Sequence, residues 1–129
     1  GRHSDNVLER RWHAAVPAVI GALGLVLATT TAQNPMLTVA FLSVGAMGVM
    51  TAMSQFWCYP PAFLGGVAAA AGIAMINSIG NLAGFISPYL IGWVKDTTGS
   101  TSIALYCIAA ALVCAAVVCL AMPKSVVNR

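Results

Sequence analysis

Apolar positions fill this chain in four long blocks, and the residues between the blocks are mostly turn formers rather than charges. Between Ala14 and Val94 there is no Lys, Arg, Asp or Glu. After the Lys95-Asp96 pair there is none again from Thr97 to Pro123. A helix crossing a bilayer needs about 20 apolar residues at about 1.5 Å of rise each. That length predicts spans at about 14–31, 36–58, 67–94 and 101–122, behind a polar lead at 1–13. The breaks between them have their own chemistry. Asn34-Pro35 initiates a turn. Pro60-Pro61 removes two backbone donors and disfavours helix before it, and Gly65-Gly66 follows. The third block is the longest and would measure roughly 42 Å if straight, so it is predicted to tilt, to kink near Pro88, or to run past the hydrocarbon. Barrel strands are excluded, because they would be about 10 residues long with alternating polarity. The predicted fold is all-α and integral to the membrane, with four transmembrane helices in 14–129.

Composition sharpens this. With 60% hydrophobic and 7% charged residues, the chain has too little charge to cover a water-facing surface, so its principal partner is the lipid bilayer. The net charge of +3 sits mainly at the two ends and forms no stripe that could track phosphates, which argues against a nucleic-acid partner. Arg2, Arg10, Arg11, Lys124 and Arg129 flank the spans on one side, against Lys95 alone on the other. The positive-inside rule then places both termini in the cytoplasm, with the spans crossing the cytoplasmic (inner) membrane. Trp12, Trp57 and Trp93 each fall near a predicted span end, where aromatic rings prefer to lie.

The four cysteines, Cys58, Cys107, Cys114 and Cys119, show no CxxC spacing. They are predicted to be buried small hydrophobes with no metal or redox role. No metal cluster, carboxylate pair, nucleophile set or phosphate loop is visible. Neither catalysis nor a cofactor is expected. The polar lead lacks the build of a signal peptide. It opens on Gly1 rather than Met, and the expectation is a piece of a longer protein.

Three places could carry chemistry. Asn77 and Asn81 lie at i, i+4 on one face of the third block, beside Gly80 and Gly84. Asn77 sits about 15 Å into its span, near the midplane of the hydrocarbon. An amide there must meet a partner or a wet cavity. The pair reads either as a substrate-facing stripe or as polar glue between helices that the glycines bring close. Ser54, Gln55 and Trp57 precede the Pro60-Pro61 break. They read either as a site built on a broken helix or as an interfacial helix end, with Trp57 and Tyr59 at the surface. Asp5, Glu9, Arg10 and Arg11 cluster before the first span. They either cap and pair helix ends or form a solvated positive-inside loop. His13, at the membrane edge, is read as an interfacial residue.

These runs together resemble the last four helices of a twelve-helix major facilitator superfamily transporter, in the branch of anion:cation symporters that move organic acids such as tartrate, phthalate and sugar acids. Gly1-Arg-His-Ser-Asp5 with Glu9-Arg10-Arg11-Trp12-His13 resembles the cytoplasmic-loop motif between helices 8 and 9, although Asn6-Val7-Leu8 stands where the family usually has a basic residue and a Gly. Phe56-Trp57-Cys-Tyr-Pro60-Pro61-Ala-Phe63-Leu64 resembles the end of helix 10. The run from Gly72 through Asn77, Gly80, Asn81, Gly84 and Phe85 to Pro88, with Gly92-Trp93 after it, resembles helix 11. The resemblance implies substrate contacts at Ser54, Trp57 and Asn77, with Gln55 and Asn81 as neighbours, and a cytoplasmic motif containing Gly1, Asp5, Arg10 and Arg11. It implies transport of a small organic acid by alternating access, coupled to a proton or another cation. Gly45, Gly48, Gly72, Gly80 and Gly84 would let helices approach closely. The cationic and acidic groups such chemistry needs would belong to the missing N-terminal helices. Two other readings are a non-transport four-helix membrane subunit or assembly protein, and a self-contained four-helix multidrug exporter. The second needs an embedded Glu that the first span lacks.

Overall fold

The computed structural model describes residues 10–123, apart from the side chains of Arg10, Ala62 and Phe63. Five helices follow one another: α1 (Arg10–Thr30), α2 (Pro35–Phe56), α3 (Pro60–Phe63), α4 (Gly66–Thr98) and α5 (Ser102–Ala121). All but the single turn α3 are long and apolar enough to cross a membrane.

Local chemistry explains the boundaries. Asn34 caps α2, its Oδ1 accepting from the Met36 and Leu37 amides at 3.2 and 3.3 Å. Pro35 occupies the first turn, where a missing N–H costs nothing. Pro60 likewise opens α3. Gly99 ends α4 with φ +71°, a conformation other residues adopt at a cost, and its N–H bonds Lys95 O at 2.8 Å. α4 therefore outlasts its apolar block and stays helical through Lys95 and Asp96. Charge ends hydropathy there, not the i→i−4 ladder. At 33 residues α4 is roughly 50 Å long, more than a hydrocarbon core needs. Pro88 lies inside it without ending it.

α1 is the centre of the packing and runs antiparallel to both α2 and α5. The buried apolar side chains are mostly alanines. Ala15, Ala18 and Ala116 form one cluster, and Ala22, Leu25 and Ala109 form another. Against α2 the contact is closer still, through Gly21 and Gly24 facing Gly45 and Gly48. Small residues let backbones meet and gain dispersion contacts where lipid offers no hydrophobic driving force. α4 differs, with no buried residue along its length and only light contact with α3 and α5. Of the glycines expected to bring helices together, Gly45 and Gly48 do so. Gly72 meets the Leu64 side chain, while Gly80 and Gly84 face open space.

The cysteines depart from expectation. Cys107 and Cys114 are exposed and Cys58 and Cys119 only partly covered, all as free thiols. On a helix whose environment is lipid, an apolar side chain needs no protein cover.

Candidate substrate-facing residues

The antiparallel layout puts the start of α1, the end of α2 and the end of α5 at one end of the bundle. Arg11 is the joint of this end. Its guanidinium donates to Leu120 O at 2.9 Å in the last turn of α5 and to Met122 O at 2.8 Å at the C-cap just past it. These acceptors have no partner within their own helix, and a cation beside them complements the negative end of the helix dipole. Of the two readings for this cluster, capping of a helix end is the one the geometry realises for Arg11. Gly1 and Asp5 lie outside the described residues, as does the side chain of Arg10.

Tyr59 is the residue that sequence reasoning missed. Read as interfacial, it is instead 2% exposed, packed with Ala14, Cys119 and Met122. Burial pushes its hydroxyl well above the usual phenol range. The Cys119 thiol, which it hydrogen-bonds, pushes the same way, and Arg11 opposes weakly. Its only sequence signal is its place before two prolines, which forces the chain to turn back over the bundle end. Phe56 stacks edge-on against both Trp57 (5.5 Å) and Tyr59 (6.3 Å), so the break after α2 is an ordered aromatic corner.

The candidate polar residues of α2 separate onto different faces. Ser54 is exposed, its Oγ donating to Met50 O at 2.9 Å. Trp57 is half-buried at the helix C-cap. Gln55 turns toward α1 and is 8% exposed, in a cleft with Trp12, His13, Val16, Pro17 and Thr51.

On α4, Asn77 and Asn81 are both exposed, as is Ser78, whose Oγ donates to Ala74 O. Neither amide has a hydrogen-bond partner among the described residues. They are thus not glue within this bundle, and α2 and α4 do not bring the two candidate groups into one enclosed site. No group of His, Cys, Asp or Glu among the described residues could hold a metal.

Comparison with known proteins gives a consistent answer. A putative tartrate transporter of Agrobacterium vitis is 44% identical over 96% of this chain, which spans 28% of that protein. The putative metabolite transport protein NicT of Pseudomonas putida is 38% identical over the whole chain, which spans 30% of it. A quinolone resistance transporter of Acinetobacter baumannii is 37% identical over 81% of the chain. The chain thus spans less than a third of the length of each of these relatives, 24% of it in the last case. No family model and no solved structure matches it.

Proposed function

The chain belongs to the major facilitator superfamily of transporters, and from that premise we propose that the full-length protein is a secondary transporter carrying an organic anion across the cytoplasmic membrane. The cargo is a small carboxylate, coupled to a proton or another cation and moved by alternating access, with both termini of this segment cytoplasmic. Residues 10–123 form part of the second half of the molecule, corresponding to helices 9–12. The observation that carries this reading is the Asn77/Asn81 pair. Two unpartnered amides stand midway along a helix that buries none of its faces. In hydrocarbon such amides are costly, so they serve a wet, substrate-lined pathway. Ser54 and Trp57 join them on the proposed pathway, whereas Gln55, turned toward α1, does not. The names of the relatives, tartrate and metabolite transporters, support the substrate class.

The test is Asn77→Ala in the full-length protein, with uptake measured for a panel of labelled carboxylates including tartrate. Loss of one substrate hydrogen bond predicts about a tenfold fall in kcat/KM at unchanged membrane abundance. Unchanged kinetics at equal abundance would return Asn77 to a packing role. A quinolone in the same panel tests the other cargo named among the relatives.

A further inference from the structure

The helices of this bundle are not fastened to one another evenly. α1 is tied to α5 at both ends. At one end Arg11 donates to Leu120 O and Met122 O. At the other the hydroxyls of Thr29 and Tyr106 are hydrogen-bonded at 2.8 Å. α1 is tied to α2 by the close backbone approach of Gly21 and Gly48, and across their turn by Thr38 Oγ1 donating to Thr31 O at 2.7 Å. Bonds at both ends of a helix pair resist splaying, and backbones in contact leave no slack for the helices to slide.

α4 has none of these ties. Among the described residues no side-chain hydrogen bond joins it to α1, α2 or α5, and it buries no residue. A cleft of about 350 Å³ runs between it and α5, lined by Leu90, Ile91 and Val94 on one side and Ala104, Cys107 and Ile108 on the other. Its two ends also differ. Gly99 sits in a closed turn, where Thr98 Oγ1 donates to Ser100 O at 3.0 Å and Ser100 Oγ accepts from the Ser102 amide at 3.1 Å. At the other end Gly66, with φ +52°, follows Gly65, and nothing stands within 4 Å of where a side chain would begin on either. The neighbour there is the flexible Leu64 side chain, against Gly72. Terminal residues free to change φ and ψ are where swinging elements bend, and glycine adopts either sign of φ at little cost. All of these differences lie between residues of this chain, whatever covers its outer faces.

We propose that α4 is a swinging arm, which pivots on the closed turn at Gly99 and bends at Gly65-Gly66 while α1, α2 and α5 stay fixed to one another. With no burial and no bond across to the block, displacing α4 costs less than any displacement within the block. The arm carries Asn77 and Asn81, so on the transport reading its swing moves both amides relative to the block and opens or closes the α4–α5 cleft.

The experiment uses the full-length protein in nanodiscs, with spin labels on non-canonical residues so that the native cysteines stay in place. One labelled pair is Val16 and Val117, across α1 and α5. The other is Val67 and Val117, across α4 and α5 at the Gly66 end. With no substrate added, electron–electron resonance gives the α4–α5 pair a distance distribution about twofold wider or more than the α1–α5 pair, as hinge motion against a fixed block requires. Replacing Gly65 and Gly66 together (Gly65→Ala, Gly66→Ala) narrows it. Equal widths, or a width unchanged by that double replacement, overturns the proposal. If the double variant does not fold, the two widths in otherwise wild-type protein decide. A second measurement rests on the transport reading. Joining Leu90→Cys to native Cys107 with a short bismaleimide lowers uptake of labelled tartrate about tenfold or more, whereas joining Thr29→Cys to Tyr106→Cys leaves it within about twofold. Uptake that survives the α4–α5 link overturns the proposal. Absence of tartrate uptake before linking removes tartrate as the cargo, and the distance widths then decide alone.

Discussion

Tyr59 shows how one side chain can set the chemistry of a bundle end. Its ring packs with Ala14, Cys119 and Met122, beside the carbonyls that Arg11 holds, and its hydroxyl is bonded to the Cys119 thiol. Burial disfavours the phenolate, so the folded state holds the proton more tightly than the unfolded chain does. The sign follows from linkage: Tyr59 contributes stability that is complete below the ordinary phenol pKa of about 10 and is lost as pH rises through and beyond it. The full-length protein should therefore lose thermal stability between about pH 9 and pH 11. Tyr59→Phe, which has no proton to lose, should show a flatter decline over that window. A variant whose decline parallels wild type would place the alkaline sensitivity elsewhere. The same geometry makes Arg11 more than an element of a positive-inside loop. A cation in the first turn of α1 is unfavourable for that helix's own dipole, and it is placed there because it satisfies the end of α5.

Between elements, the α1–α2 contact is governed by whether glycine is present, and the individual glycines differ in cost. A Cβ added at Gly48 would collide with the Cα and N of Gly21 and lie 2.6 Å from Pro17 O, all backbone atoms that move only if the helices part. At Gly45 the obstacle is the Leu25 side chain, which can rotate away. Gly48→Ala should cost about 1–3 kcal/mol, as overpacking does, and should lower the thermal midpoint of the full-length protein clearly more than Gly45→Ala. Equal midpoints would show that the seam relaxes. These particulars mark the boundary of what sequence conveys. The four spans were legible because a bilayer imposes their length and their freedom from charge. The αL stop at Gly99 was open to the same reading, but hydropathy drew attention to Lys95 instead. Which amide is covered could not be read. Gln55 and Asn77 both stand in long uncharged runs, and in lipid every helix face is apolar, so no periodicity tells inner from outer. For the same reason the cysteines looked buried, though two of them face outward. Partners across space, Gly21 with Gly48 and Arg11 with Met122, depend on helix rotation and crossing, which the order of residues does not display.

Across the whole molecule, α1, α2 and α5 form a closely packed unit, while α4 stands beside it with its surface uncovered. Two unpartnered amides midway along such a helix are costly wherever hydrocarbon faces them. The relatives are more than three times longer than the part this chain matches, and on the function proposed above further helices cover α4 and close the pathway over Asn77 and Asn81. The same comparison bounds what residues 1–129 can do alone. An anion entering a pathway needs a cation to receive it, and proton coupling needs an acid within the membrane. Among the described residues, the interiors of the spans carry neither, since Arg11 is engaged with α5 at one edge and Lys95 and Asp96 lie at the end of α4. Purified residues 1–129 reconstituted in liposomes should therefore show no saturable uptake of a labelled carboxylate under an imposed proton gradient. The full-length protein in parallel liposomes should accumulate it. Saturable uptake by residues 1–129 alone, abolished by Asn77→Ala, would mean that the amides of α4 suffice to bind and pass the anion, and that the charged groups assigned to the rest of the molecule are dispensable.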